Sequence, residues 1–137
     1  MSYPYLGQVQ RGLYQALAGD APLLALLGSA DKVSDAVLHE AQFPYVTIHK
    51  MKQRPYETNG HHEAIITAEI VVYSDYNGMK EIGDIMTEIC RILMSGAMVL
   101  SGISLSQLRI IDMEQRRSRD GLTREGIVTV EFFVEGA

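Results

Sequence analysis

Cysteine, tryptophan and basic charge are all scarce in this chain of 137 residues. The single cysteine, Cys90, excludes a disulfide within the chain, and its place in an apolar helical pattern favours a packed thiol over a reactive one. Tryptophan is absent, and 12 lysines and arginines face 17 aspartates and glutamates, which gives a net charge of −5. This acidic balance argues against a surface built to bind the phosphate backbone of a nucleic acid.

Long apolar runs are also missing. None reaches the ~18 residues that a membrane-spanning helix needs, and residues 1–10 show no basic segment followed by an apolar core. We therefore expect a soluble, cytoplasmic chain with no signal peptide and no membrane partner. The composition, 47% apolar and 21% charged, is that of an ordinary globular protein, and the length fits a single domain over residues 1–137.

The usual sequence motifs of catalysis, metal binding and nucleotide binding are absent. No serine lies in a Gly-x-Ser-x-Gly turn, and no glycine pattern forms a phosphate-binding loop. His61 and His62 are adjacent, so in an extended segment their side chains point to opposite sides, and no cysteine lies near them to complete a metal site. We expect no enzyme activity, no metal and no cofactor, although a catalytic triad assembled only in space would leave no such signature.

Apolar periodicity predicts two helices near the N-terminus. Apolar residues at three- and four-residue spacing form one helical face over residues 6–17, and Gly19 ends that helix. Asp20 then caps a shorter helix that holds Pro22 in its first turn and stops at Gly28. The second helix carries no Lys, Arg, Asn or Gln, so this helical corner is not expected to read DNA bases.

Two strands follow a polar connector that contains a short extended piece around Val33. Residues 43–49 form the first strand, with Pro44 at its start, where the loss of an N–H is tolerated. The polar stretch over residues 50–62 is interpreted as a loop that becomes ordered when it meets a partner. Residues 63–74 form the second strand, and their apolar side chains on both faces indicate a central strand or one beneath a partner.

A long helix begins near Met79, with Asp75 or Asn77 as its cap, and ends before Gly96. One face of this helix is an apolar stripe. The stripe consists of Met79, Ile82, Ile85, Met86, Ile89, Cys90 and Leu93.

The stretch from Leu105 to Val134 predicts a long β-hairpin that closes at Asp120-Gly121, because Asp-Gly between strand-like runs is a strong turn signal. With a two-residue turn, one face is mostly apolar and pairs Met113 with Val128, Ile111 with Val130 and Arg109 with Phe132. The other face is mixed and pairs Glu114 with Ile127, Asp112 with Thr129, Ile110 with Glu131 and Leu108 with Phe133. A three-residue turn with a bulge would instead flip one strand and turn Asp112 inward.

These elements predict an α+β fold with a mainly antiparallel four-stranded sheet. Two hairpins are joined across the long helix, and this helix and the N-terminal helix pair pack on one face of the sheet.

Four arginines cluster around the predicted turn: Arg116, Arg117, Arg119 and Arg124. Two interpretations stay open. Charged strand ends keep a protein soluble and discourage edge pairing, and that alone accounts for the cluster. Alternatively, the cluster contacts an acidic partner or a nucleic acid.

Four stretches, taken in order, resemble the small tail-completion proteins of long-tailed phages, prophages and gene transfer agents. They are APLLALLG at residues 21–28, FPYVTI at 43–48, the strand end VYS at 72–74 before the long helix, and RDGLTREGIV at 119–128. The likeness extends from about Leu13 to Glu135. It implies a non-enzymatic α+β protein that terminates the tail, in which a ring, usually of six subunits, caps the tail tube and presents a surface to the head connector.

The same resemblance implies the partners. They are further copies of the chain, the tail tube protein and the head–tail connector protein, with DNA only passing through the lumen. It implies a place in the virion tail after assembly in the host bacterial cytoplasm. The alternatives are another head–tail connector or neck component, and a small cytoplasmic binding module.

Two sets of residues are candidates for the contacts of such a ring. The mixed sheet face supplies the candidate subunit interface: Ile110, Ile127, Phe133, Val71 and Tyr73. The candidate contacts with other partners are Arg116, Arg117, Arg119, Arg124, Arg54, Tyr56 and His61.

Overall fold

The computed structural model describes residues 4–34, 43–56, 63–75, 79–119 and 121–136. These residues form helices and strands that pack as two layers. In chain order the elements are α1 (Leu6–Ala18), α2 (Ala21–Leu27), a 3-10 turn (Ala30–Lys32), β1 (Val33–Ser34), β2 (Tyr45–Pro55), β3 (Glu63–Ser74), α3 (Lys80–Met94), β4 (Ile103–Arg117) and β5 (Arg124–Gly136). None of the helices in these ranges is long and apolar enough to cross a membrane.

The strands form one sheet in the order β1-β2-β3-β5-β4. All neighbours are antiparallel except β1, which runs parallel to β2 through Val33 and Ser34. The predicted α+β class is therefore confirmed. The predicted four-stranded antiparallel sheet is wrong in detail, because the extended piece at Val33 adds a fifth, parallel strand. β3 lies between β2 and β5, as its two apolar faces indicate.

One apolar cluster lies between the helices and one face of the sheet. Side chains of β3 and β5 alternate, so every second residue enters this cluster. The sheet contributes Val46, Ile48, Ala64, Ile66, Ala68, Ile70, Val72, Val128, Val130, Phe132 and Val134, and the helices contribute Val9, Leu13, Leu17, Leu23, Leu27, Ile82, Ile85, Ile89 and Ile92. We call the opposite side of the sheet, on which none of the described helices packs, the open face.

β2 is longer than the sequence predicts. The region expected to be a loop from Lys50 onward continues as strand to Pro55, which pairs with Ala64 of β3. Its side chains alternate between the two faces, and Gln53 on the helix side accepts a hydrogen bond from the backbone N–H of Tyr5 at 2.8 Å. The rest of the predicted loop, residues 57–62, lies outside the described residues.

The start of α3 also differs from the prediction. Its N-cap is Met79, with no side-chain capping hydrogen bond, so Asp75 does not cap the helix, and Asn77 lies outside the described residues. Instead Ser74 Oγ donates to Glu81 Oε1 at 2.5 Å, which ties the end of β3 to the first turn. Most of the predicted stripe is buried, but Met79 is 40% exposed because it precedes the helix rather than packing beneath it.

The predicted register of the β4–β5 hairpin is correct for one half and wrong for the other. Pairs from Arg117↔Arg124 to Asp112↔Thr129 follow it. Ile111 is then an extra residue in β4, so Ile110 faces Val130 and Arg109 faces Glu131. The bulge has a clear physical reason, since without it Arg109 would lie against the buried Phe132. Ile110 consequently lies on the helix side of the sheet, not on the mixed face as predicted.

Asp20 joins α2 to α3. Its carboxylate accepts a hydrogen bond from the backbone N–H of Leu23 at 3.0 Å, which confirms the predicted cap. The same carboxylate forms an ion pair with the guanidinium of Arg91 at 2.5 Å. We expect Asp20→Ala to lower the free energy of unfolding by about 1 kcal/mol, measured by urea denaturation. Asp20→Asn keeps an acceptor for Leu23 N and should lose less. Equal losses in the two variants would contradict the capping role.

Candidate functional site: the open face

The open face is a grid of side chains that cross the sheet in register. From one end to the other, successive rows run from β2 through β3 and β5 to β4. The rows are Tyr45–Tyr73–Glu125–Arg116, Thr47–Val71–Ile127–Glu114, Lys50–Glu69–Thr129–Asp112, Lys52–Thr67–Glu131–Arg109 and Arg54–Ile65–Phe133–Gln107. The grid therefore has aromatic and apolar side chains at both ends and a charged belt between them.

The aromatic end lies beside the hairpin turn. The rings of Tyr45 and Tyr73 stack with centroids 4.8 Å apart, and Phe43 lies 5.5 Å from Tyr45. Burial and then the nearby Glu125 carboxylate raise the pKa of both tyrosines above the ordinary value. Both phenols therefore stay protonated at neutral pH and can donate hydrogen bonds.

Glu125 links this aromatic end to the arginines of the hairpin. Its carboxylate accepts a hydrogen bond from Arg116 Nε at 2.8 Å, and this bond raises the pKa of Arg116 above its ordinary value. Arg117 and Arg124 lie directly opposite each other on the other side of the sheet, and Arg119 lies in the turn. The four predicted arginines are thus neighbours in the fold but present their charges on two sides of the hairpin end.

The belt contains a nearly buried carboxylate. Glu131 has a side chain only 11% exposed and forms an ion pair with Arg54 at 3.1 Å, across the intervening strand β3. Arg109 lies opposite Glu131 on the other side, and Thr67 is its neighbour on β3. Burying a carboxylate to this extent is costly unless positive groups lie beside it, and Arg54 and Arg109 supply them.

We expect Arg54→Ala to lower the free energy of unfolding by about 1 kcal/mol, because it leaves the Glu131 carboxylate without its ion-pair partner. Two further variants complete the comparison: Glu131→Gln alone, and Glu131→Gln combined with Arg54→Ala. If the ion pair accounts for the effect, Arg54→Ala costs less in the Glu131→Gln background, in a double-mutant cycle from urea denaturation. Additive losses would contradict the assignment.

The far end of the open face is apolar. Phe133 and Tyr56 make an edge-to-face contact with centroids 6.1 Å apart, and Ile65 lies opposite Phe133 on β3. Tyr56 is 47% exposed. Arg54 and Tyr56 therefore lie roughly 30 Å from the arginines of the turn, given ~3.3 Å per strand residue, so the predicted partner contacts form two separate regions. His61 lies outside the described residues.

The predicted subunit-interface residues are mostly brought together. Val71, Tyr73, Ile127 and Phe133 share the open face, and only Ile110 does not. Val71 and Ile127 are 3% and 8% exposed, so neighbouring open-face side chains already cover them. The accessible parts of this face are instead the half-buried rings of Tyr73 and Phe133 and the charged belt.

Sequence reasoning named Arg54 but missed Lys50 and Lys52, which form a basic row with it on β2. All three are exposed on the open face and, with Ile111, Thr67, Glu69 and Glu131, line a shallow depression of about 300 Å³. The signal was the alternation of basic and other residues from Lys50 to Arg54, which is typical of a strand with one solvated face.

No metal-binding arrangement is found in the parts of the chain that the structure describes. They contain no group of three His, Cys, Asp or Glu residues that could hold a metal ion. Burial raises the pKa of the Cys90 thiol, which keeps it protonated, and its Sγ contacts Met113 Sδ at 3.5 Å. Cys90 thus has the character of a packing residue.

A known family matches nearly the whole chain. The sequence model of the family described as Tail completion protein gp17 matches residues 11–135. Among curated protein sequences, none matches the chain significantly.

Two solved structures share the fold over almost the full length. A chain from the virion of a native gene transfer agent particle is 26% identical, with a TM-score of 0.88, and the match covers 98% of this chain and 100% of that one. The gp17 protein of bacteriophage SPP1 is 22% identical, with a TM-score of 0.65, and the match covers 92% of this chain and 88% of that one.

Proposed function

The chain belongs to the gp17 family of tail completion proteins, and from this premise we propose that it is the tail terminator of a phage or gene transfer agent particle. The observation that carries the proposal is the match to a chain of an assembled virion, which covers 98% of this chain and 100% of that one. In this role the protein caps the finished tail tube and provides the surface that the head joins.

We further propose that six copies form the cap as a ring around the DNA channel, with the open face contributing to contacts between subunits. Several features support this arrangement. The accessible rings of Tyr73 and Phe133 and the belt between them offer both apolar and charged contacts to a partner. The net charge of −5 suits a channel that lets DNA pass without holding it.

The proposed location is the virion tail, after assembly in the bacterial cytoplasm, and the proposed partners are the tail tube and the head connector. This function needs no catalytic step, and the protein is proposed to be a structural component and not an enzyme.

Deleting the gene tests the proposed function. We expect tails of uncontrolled length that do not join heads, seen by negative-stain electron microscopy of lysates, and restoration by the wild-type gene supplied in trans. Normal virions from the deletion strain would refute the proposal. A purified complex with the head's portal protein, together with no binding to the tail tube, would instead assign the chain to another position in the neck.

The arginines at the hairpin turn are proposed to contact an acidic partner surface. We expect Arg117→Glu with Arg119→Glu to leave folding intact, because both side chains are exposed, and to reduce head joining about tenfold or more in complementation of the deletion strain. The matched control, Arg117→Lys with Arg119→Lys, keeps the charge and should restore joining. Undiminished joining by the glutamate variant would show that these charges serve only solubility.

A further inference from the structure

We propose that neighbouring copies of the chain join side by side, with the acidic edge of β4 in one copy against the basic row on β2 of the next. The acidic edge consists of Asp112 and Glu114, and the part of the basic row that it contacts consists of Lys50 and Lys52. This inference rests on the proposed ring, and it specifies which surfaces of the sheet meet.

The edge strand β4 and the part of β2 beyond its pairs with β1 carry opposite charges on the open face. Asp112, Glu114, Lys50 and Lys52 are exposed, and within the described residues none of them forms an ion pair. Lys50 lies opposite Glu69 in the β2–β3 register, but no ion pair closes between them. β4 is the last strand of the sheet, and β1 pairs with Val46 and Thr47 of β2 but not with Lys50 or Lys52, so both charged surfaces can contact a second copy.

The acidic edge and the basic row cannot meet within one copy. β3 and β5 lie between β2 and β4, so three strand spacings of ~4.8 Å separate them by about 14 Å. Any contact between these charges must join two copies. Such a contact uses a different surface on each copy, and repeating it around an axis closes a ring.

Strand directions and apolar contacts agree with this arrangement. β2 and β4 run in opposite directions because three antiparallel pairings connect them, so β4 of one copy lies antiparallel to β2 of the next. Ile111, the extra residue beside Asp112, is 43% exposed and lines the same depression as Lys50 and Lys52, so it supplies apolar surface to the contact. A strand edge of 15 residues is also an unusually long one for a protein to leave uncovered.

This arrangement also brings two positive charges of neighbouring copies close together. Arg109 lies on the same face of β4 as Asp112 and comes near Lys52 when the two copies align row by row. In its own copy, however, Arg109 lies opposite Glu131, which offsets its charge. The attraction is therefore concentrated between Asp112 and Glu114 on one side and the two lysines on the other.

Charge reversal and charge exchange test the contact in the purified full chain. We expect Lys50→Glu with Lys52→Glu, and separately Asp112→Lys with Glu114→Lys, to weaken self-association about tenfold or more in sedimentation velocity at low salt. Combining all four substitutions exchanges the charges and should restore association. The control, Arg11→Glu with Lys80→Glu, makes the same change in net charge as the lysine reversal, but on the helix layer, and should have no such effect.

Cross-linking locates the contact even where the rings form only on tails. In a Cys90→Ser background, Lys50→Cys with Asp112→Cys, which lie in the same row of the grid, and a short bis-maleimide should give a ladder of covalent multimers, from purified chain or from tails assembled with tube protein. Each cysteine alone should stop at dimers or fewer.

Association that survives both reversals, or a pair of cysteines that gives no ladder in tails, would overturn this contact while leaving tail termination standing. Normal virions without the gene would refute tail termination while leaving the cross-linked contact standing.

Discussion

Gly126→Val is expected to prevent stable folding, and Gly126→Ala to lower the free energy of unfolding by about 3 kcal/mol, because helix α3 packs directly on the backbone of this residue. A Cβ atom at Gly126 would lie 2.5 Å from Ile82 Cγ2 and 2.7 Å from Met86 Sδ. Real Cβ contacts are wider than this, so the helix or the strand must shift. Ile82 has little freedom to move, because it is fully buried and branched at Cβ.

Urea denaturation of the alanine variant measures this effect, and Gly7→Ala is its control. A Cβ atom at Gly7 meets nothing within 4 Å, and Gly7 lies in helix α1, so there the same substitution should be neutral or stabilise by up to about 1 kcal/mol. If close packing is the cause, Met86→Ala should cost less in the Gly126→Ala background than in the wild type. Equal losses at Gly126 and Gly7 would contradict the close approach of α3.

The helices could be predicted from the sequence because their signals are local. The Asp20 cap and the stop at Gly28, whose φ is +104°, need only neighbouring residues, and both are observed. The position of β3 between two strands also followed from its apolar residues on both faces. Each of these features is encoded within a few residues of where it acts.

The open face could be predicted only in part, because its arrangement depends on contacts between distant parts of the chain. Arg54 and Glu131 are 77 residues apart in sequence, and no local pattern pairs them. The bulge at Ile111 likewise depends on the core, since it keeps Arg109 out of the layer that buries Phe132. The prediction for Ile110 failed for this reason, while those for Tyr73 and Phe133 did not depend on the bulge.

The two adjacent phenylalanines of β5 separate folding from assembly. Phe132 is fully buried and is the largest of the fully buried side chains described, whereas Phe133 lies on the open face against Tyr56. Phe132→Ala is expected to lower the free energy of unfolding by about 3–5 kcal/mol, because the cavity it leaves adds to the lost burial. That loss is a large part of the total stability of a domain of this size.

Phe133→Ala is the matched substitution one residue along the same strand. It removes an edge-to-face contact at a half-buried site, so its expected cost is roughly 1 kcal/mol. If the open face contributes to the ring, Phe133→Ala should nevertheless reduce self-association and tail termination, measured by sedimentation and by tail lengths in the complemented deletion strain. A Phe133→Ala chain that folds, assembles and terminates tails normally would remove the apolar end from the interface. The contact between β4 and β2 would then account for the ring without it, since Lys50, Lys52, Asp112 and Glu114 all lie in other rows of the grid.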